Sequence, residues 1–300
     1  MSSPFNLNES AAYLRWRDSK LATAPCSAND LIVEVRDPRE LSSSEHAALM
    51  ERILYCNMAI YAGPLCMEDT DIPRLLGQQF GLERLDANWL ADEDGVSEIR
   101  VAGDGIRQHY IPYTDRPIKW HTDGYYNPPR RTIRGMVLHC VRPATSGGDN
   151  RLMDHEMAYL LLRDANPEHV RALMQPDAMT IPERVDETDG VRPAQSGPVF
   201  SLDDGGNLHL RYTARTRSIA WKQDAVTLAA VASLADLLAS TSPHIHHARL
   251  ESGMGLLCNN VLHDRAAFTD NAHHPRLLYR ARYLDRMSAP CGAKSIGLAT

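Results

Sequence analysis

Short runs of strand-forming residues recur through the last two thirds of the chain. They lie at 98–102, 134–141, 199–202, 208–212, 255–259 and 277–283, and Gly, Pro, Asp and Asn separate them. Helical patterns at 154–163 and 224–238 interrupt this series. Many short strands with few helices are typical of a β-sandwich or barrel, and no G-x-G-x-x-G motif supports a dinucleotide-binding sheet. We therefore predict a mainly β fold with flanking helices.

The N-terminal part of the chain has a different pattern. Helical periodicity covers 9–21, 44–55 and 71–80, with strand-like runs only at 31–35 and 58–61. The length of 300 residues suits one large domain or two small ones. The polar, Gly- and Pro-rich segment 183–205 predicts a mobile loop of the kind that can act as a lid.

Composition excludes several classes of protein. The net charge is −6, which disfavours a nucleic-acid binder, and no apolar stretch is long enough to span a bilayer. The six cysteines are widely separated, without a C-x-x-C pair, and residues 1–8 do not resemble a signal peptide. We expect a cytoplasmic protein with a small-molecule substrate and no nucleic-acid or membrane partner. The oligomeric state, including a homo-oligomer, stays open.

The segment Trp120-His121-Thr122-Asp123-Gly124 is the most informative part of the sequence for chemistry. A histidine and an aspartate two residues apart, on an extended segment that ends in a turn, can both reach one metal ion. A second histidine would complete a set of two histidines and one carboxylate, which leaves coordination positions open in non-haem Fe(II) oxygenases. An isolated H-x-D pair is more often a polar turn.

Three further segments favour the metal interpretation. The run 145–150, Thr-Ser-Gly-Gly-Asp-Asn, follows an apolar strand, and His263 lies at the end of another apolar strand far downstream. Arg276 follows His263 by 13 residues and precedes Arg280 by four. An arginine in this position can form a bidentate pair with a carboxylate of a co-substrate.

With these segments, the chain resembles the taurine dioxygenase/TfdA-like family of Fe(II)- and 2-oxoglutarate-dependent oxygenases. The resemblance runs from about Trp120 to Tyr283, and the W-H-T-D segment and the G-G-D run are its most specific parts. It implies a double-stranded β-helix, or jelly roll. With it, we predict one domain over residues 1–300, in which a mostly helical portion, 1–95, packs on the jelly roll. It also implies that Fe(II), 2-oxoglutarate and O₂ are required, and that an unactivated C–H bond is hydroxylated with release of succinate and CO₂.

The resemblance also implies residue roles. His121, Asp123 and His263 match the iron ligands, and Arg276 matches the arginine that pairs with the distal carboxylate of 2-oxoglutarate. Asn150 occupies a position where the family usually has a threonine that hydrogen-bonds the same carboxylate; an asparagine amide can donate that bond too. Arg280 matches an arginine that faces the substrate anion in the taurine enzymes.

Arginines and histidines outside the proposed iron site have both functional and structural interpretations. In the strand-like run LHLRYTART, Arg211 or Arg215 could hold an anionic substrate near Arg280, or these arginines could form surface salt bridges. We interpret His155 as part of the first turn of a helix and the P-H-I-H-H run at 243–247 as a solvated loop.

The substrate is not readable from the sequence. A small anionic or amino-acid-like molecule is the first hypothesis. A sulfonate- or ether-cleaving dioxygenase is the second, because hydroxylation next to sulfur or oxygen yields an unstable product. A non-catalytic jelly-roll binding protein is the third.

Overall fold

In a computed structural model, the described residues are 3–86, 95–103, 105–186, 190–216, 219–271 and 273–288. The α-helices among them are α1 (Ser10–Ala22), α2 (Ser43–Cys56), α3 (Asp71–Gln79), α4 (His155–Ala165), α5 (Pro167–Leu173) and α6 (Ala225–Ala239). The strands are β1 (Ile32–Glu34), β2 (Met58–Ala62), β3 (Val96–Ile99), β4 (Ile118–His121), β5 (Gly135–Arg142), β6 (Ser146–Gly147), β7 (Asn150–Met153), β8 (Met179–Ile181), β9 (Arg184–Asp186), β10 (Gly190–Arg192), β11 (Gln195–Gly197), β12 (Phe200–Leu202), β13 (Leu208–Leu210), β14 (Ala220–Trp221), β15 (His246–Ala248), β16 (Met254–Cys258), β17 (Leu262–Arg265), β18 (Phe268–Thr269) and β19 (Leu277–Tyr283).

A six-stranded sheet forms the larger part of the β core, in the order β1-β2-β16-β5-β19-β3. Only the pair β1–β2 is parallel. Because successive side chains of a strand point to opposite faces, β5 contributes to two separate clusters. Met136 and Cys140 belong to one cluster, and Val137 and Val141 belong to the other.

Helices α2 and α3 cover the face of this sheet that carries Val137 and Val141. Leu49 and Ile53 of α2 and Leu76 of α3 are buried in the same cluster as these valines. A capping box starts α2: the Ser42 hydroxyl accepts a hydrogen bond from the backbone N–H of Glu45, and the Glu45 carboxylate accepts one from the N–H of Ser42.

A four-stranded sheet, in the order β15-β7-β17-β4, packs against the opposite face. Leu152 of β7 lies in one cluster with Met136 and Cys140. Trp120 of β4 and Leu262 of β17 point the other way, into a cluster that includes α4 and α6. Residues next to Trp120 and Leu262 along these strands therefore face the space between the two sheets. No helix within the described ranges is both long and apolar enough to cross a membrane.

Most predicted elements form close to their expected bounds, and the mainly β character with flanking helices is confirmed. The segment 183–205 is the main correction, because its described residues form β9 to β12 rather than a loop without regular structure. These strands have only three residues each, so their sequences show no hydrophobic alternation. His246 is also buried in β15 and is not in a solvated loop, whereas His155 does begin α4 as predicted.

Candidate metal centre

Two histidines and one aspartate lie close together in the space between the sheets. Strands β17 and β4 are antiparallel, and His263 is the direct cross-strand partner of His121. Asp123 follows in the turn after β4. One potential ligand atom from each of the three residues lies within 4.8 Å of the others, and the described residues contain no other such group of His, Cys, Asp or Glu. The predicted triad is therefore assembled by strand pairing between segments far apart in sequence.

Both imidazole rings are oriented by carbonyl groups of their own strands. His121 Nδ1 lies 3.0 Å from the carbonyl oxygen of Lys119, and His263 Nδ1 lies 2.9 Å from that of Val261. A carbonyl oxygen only accepts, so Nδ1 carries the proton in each neutral ring and Nε2 keeps its lone pair. This is the tautomer that binds a metal through Nε2.

The electrostatic surroundings favour the protonation states of metal ligands. Burial by itself raises the pKa of Asp123, but the Arg280 guanidinium, with Nη1 3.2 Å from Asp123 Oδ2, holds that pKa well below its ordinary value. Burial, reinforced by the nearby His121, lowers the pKa of His263 to about 4. At neutral pH the carboxylate is therefore ionised and His263 is neutral, as metal binding requires.

The donor set fits a divalent transition-metal ion. Asp123 Oδ2 is buried and has no hydrogen-bond partner among the described groups, although Arg280 is near enough to form an ion pair. Two imidazole nitrogens and one carboxylate oxygen suit Fe(II) and leave coordination positions open. A structural zinc site would need a fourth protein ligand.

Arg276 lies at a pocket near the start of β19. The pocket is lined by Gly147, Gly148, Asn150, Arg249 and Leu278, among others. Arg276 is 5 % exposed, and its Nη1 is buried without a hydrogen-bond partner among the described residues. A buried, unpaired guanidinium is costly without a ligand, so the pocket is suited to an anion.

Asn150 lies in the same pocket, as the sequence led us to expect. Its side-chain amide donates a hydrogen bond of 3.4 Å to the carbonyl oxygen of Gly148. The structure thus brings Arg276 and Asn150 to one pocket and brings Arg280 to the triad.

The guanidinium of Arg211 binds three backbone carbonyl groups. Its Nε donates to the carbonyl oxygen of Tyr125 at 2.7 Å, Nη1 to that of Met179 at 3.0 Å, and Nη2 to that of Gln195 at 2.8 Å. These bonds tie the segment after Asp123 to β8 and β11. Arg211 therefore joins backbone segments, and its role in substrate binding stays a prediction.

Arg282 is a basic residue of the site that sequence reasoning missed. It is buried, donates to Asp86 Oδ2 at 2.8 Å and to the Tyr126 hydroxyl at 3.2 Å, and its charge also acts on Asp123. Strand alternation was the available signal, because residues 280 and 282 of one strand share a face.

A mainly β fold with two histidines and one aspartate in a cluster suits a non-haem iron oxygenase, and the comparisons agree. The chain belongs to the taurine catabolism dioxygenase TauD, TfdA family, which it matches over residues 32–282. This confirms the family predicted from the W-H-T-D segment.

Among individual proteins, the chain is 32 % identical to a uridine-5'-phosphate dioxygenase of Amycolatopsis sp. over 171 residues, 55 % of this chain and 60 % of that protein. It is 28 % identical to a uridine-5'-phosphate dioxygenase of Streptomyces sp. over 204 residues, 66 % of this chain and 73 % of that protein. A solved asparagine oxygenase in complex with Fe(II), 3-hydroxyasparagine and succinate matches with a TM-score of 0.58, covering 80 % of this chain and 78 % of that one. Its 15 % identity makes this a likeness of fold alone.

Proposed function

We propose that this protein is an Fe(II)- and 2-oxoglutarate-dependent dioxygenase that oxidises a C–H bond of a small anionic substrate. His121, Asp123 and His263 are the proposed iron ligands. The observation that carries this proposal is the position of His263 directly opposite His121, with a carboxylate oxygen of Asp123 within 4.8 Å of a nitrogen of each ring. We further propose that the two sheets form the double-stranded β-helix of the family and that residues 1–300 form one domain.

The chain's own groups would bind and orient the reactants. Bound iron would supply the activation of O₂ that couples loss of CO₂ from 2-oxoglutarate to oxidation of the substrate. Arg276 would hold the distal carboxylate of 2-oxoglutarate through charge-assisted hydrogen bonds, and Asn150 would donate one more. The ring of Phe268 lies beside Arg276, with its centroid 5.0 Å from the guanidinium carbon.

The substrate class follows from charge near the triad. Arg280 and Arg282 lie on the face of β19 opposite to Tyr279 and Ala281, which belong to the cluster under α2 and α3. Arg280 Nε is buried without a hydrogen-bond partner among the described groups. An anionic group of the substrate would pair with it. The names of the two relatives make uridine-5'-phosphate the first candidate, and a sulfonate is the alternative.

Oxygen-dependent succinate formation tests the activity. The assay uses purified protein with Fe(II), 2-oxoglutarate and a panel that contains uridine-5'-phosphate, taurine, aryl ethers, asparagine and arginine. Product analysis separates stable hydroxylation from cleavage, because cleavage releases sulfite, phenol or inorganic phosphate. His121→Ala and Asp123→Ala are expected to abolish turnover. His247→Ala is the matched control, since His247 is exposed on β15.

Two outcomes would contradict the proposal. Turnover that survives in both His121→Ala and Asp123→Ala would show that these residues are not iron ligands. Failure of the wild-type protein to bind Fe(II) and 2-oxoglutarate in calorimetry would favour a non-catalytic binding protein.

A further inference from the structure

Two consecutive asparagines, Asn259 and Asn260, lie between β16 and β17, just ahead of His263. They are 2 % and 1 % exposed, respectively. Asn260 has a φ of 51°, in the left-handed region that residues with a side chain rarely adopt. The side chains of both residues bind groups elsewhere in the chain, so this buried turn connects distant segments.

Asn260 holds the backbone of Asp123 from both sides. Its Oδ1 accepts a hydrogen bond of 2.8 Å from the Asp123 N–H, and its Nδ2 donates one of 3.0 Å to the Asp123 carbonyl oxygen. The same Nδ2 donates to the carbonyl oxygen of Ile133 at 2.7 Å. One side chain thus replaces the pair of hydrogen bonds that a neighbouring strand would make.

This contact matters because Asp123 lies beyond the end of β4. The backbone–backbone hydrogen bond that precedes it joins the Thr122 N–H to the Tyr212 carbonyl oxygen. The next residue, Gly124, has a φ of 68° and begins a turn. The side chain of Asn260 therefore fixes the backbone from which the Asp123 carboxylate projects.

We infer that Asn260 is a positioning residue that fixes Asp123 relative to His263, so that metal affinity depends on its side-chain amide. The inference rests on the proposed function, since it takes Asp123 and His263 as metal ligands. Partners that orient metal ligands typically change affinity by about 10- to 100-fold when they are removed. We expect a loss in this range.

Asn259 provides a matched control. Its Nδ2 donates to Asn57 Oδ1 and to the carbonyl oxygen of Met287, both at 3.1 Å, and its Oδ1 accepts from the Met287 N–H at 3.0 Å. Asn259 and Asn260 are thus adjacent, equally buried, and each makes three side-chain hydrogen bonds. Only Asn260 binds a segment that carries a proposed ligand.

The experiment compares Asn260→Gly with Asn259→Gly. Glycine tolerates the positive φ at position 260, so the change removes the amide without backbone strain. Mn(II) serves as the probe, and the dissociation constant comes from the electron paramagnetic resonance signal of the free ion. Chemical denaturation measures stability in parallel. If Asn260→Gly does not fold in buffer, both variants are compared with wild type in an osmolyte such as sucrose, which favours the folded state without replacing the amide.

We expect both variants to lose stability. Asn260→Gly should bind Mn(II) about 10- to 100-fold more weakly and alter the spectrum of the bound ion. Asn259→Gly should keep the wild-type affinity within about twofold and the wild-type spectrum. Equal affinity in wild type and in the Asn260 variant would overturn the inference, and so would an equal loss in both variants. Failure of wild type to bind Mn(II) or Fe(II) would instead refute the proposed function.

Discussion

Replacing Arg276 with methionine should weaken the binding of 2-oxoglutarate but should cost the ligand-free protein little or no stability. The guanidinium is buried and Nη1 has no hydrogen-bond partner among the described residues, so the ligand-free protein carries a desolvated charge. Methionine keeps much of the apolar volume beside Phe268 and removes that charge. In the presence of 2-oxoglutarate, however, the variant lacks the cation that the distal carboxylate needs.

The expected magnitudes follow from these contacts. Removal of a buried unsatisfied donor relieves about 1–3 kcal/mol, while loss of the contact with Phe268 costs up to about 2 kcal/mol. The free energy of unfolding of the ligand-free variant should therefore be no more than about 1 kcal/mol below that of wild type, or should exceed it. Two charge-assisted hydrogen bonds of at least about 1.5 kcal/mol each are lost on the ligand side. That loss is a factor of about 100 or more in the dissociation constant of 2-oxoglutarate.

Denaturation with and without 2-oxoglutarate, in Mn(II)-loaded protein, measures both effects. At 100 times the wild-type dissociation constant, the ligand should stabilise wild type by about 2.7 kcal/mol and the variant by no more than about 0.4 kcal/mol. Arg249→Met is the control for stability, because Arg249 lines the same pocket but donates to the carbonyl oxygens of Gly147 and Ala144. It should destabilise the ligand-free protein by about 2 kcal/mol or more. The reasoning is refuted if Arg276→Met loses as much stability as Arg249→Met, or if 2-oxoglutarate stabilises it as strongly as wild type.

Three further changes test other parts of the molecule. Gly124→Ala should lower the free energy of unfolding by about 1–3 kcal/mol and weaken Mn(II) binding, because φ is 68° and the new Cβ would lie 2.4 Å from Ile133 Cγ1. A variant with the unfolding free energy and Mn(II) affinity of wild type would contradict this. Lys20→Met should cost about 3–5 kcal/mol in urea denaturation, since Lys20 Nζ lies 2.6 Å from the buried Asp154 Oδ2; a loss below about 1 kcal/mol would refute the pairing. Lys20 holds the pKa of Asp154 below its ordinary value although burial opposes this, so the stabilisation is present above about pH 4 and is lost as the pH falls through the lowered pKa. Asp154→Asn should therefore flatten the decline of stability with acidification below pH 4, and an unchanged slope would contradict the assignment.

The core strands could be predicted because their burial is periodic. In β5, alternate residues enter the clusters on opposite faces of the sheet, and the whole strand lies within one residue of its predicted bounds. Short polar strands such as β9 and β11 have no such pattern. They form because a neighbouring segment pairs with them, and the propensity of their own residues does not predict that pairing.

The candidate ligands could be predicted from residue types at several sites together with the resemblance to a known family. Few side chains bind Fe(II), and a histidine and an aspartate two apart restrict the geometry even before the fold is known. Arg211 shows the limit of this reasoning. A strand arginine near basic neighbours is compatible with an anion site, but each of its three nitrogens binds a backbone carbonyl that the sequence does not place beside it.

Asn260 shows why supporting residues are harder to predict than ligands. An asparagine three residues before a histidine has no recognisable chemistry, and its role depends on a contact 137 residues distant along the chain. That contact requires β17 to pair with β4 in the register that places His263 opposite His121. A shift of one residue would turn His263 to the opposite face of its sheet and would move Asn260 away from Asp123. The register that assembles the ligands therefore also brings the asparagine to the aspartate, and ligand geometry and its support arise from the same strand pairing.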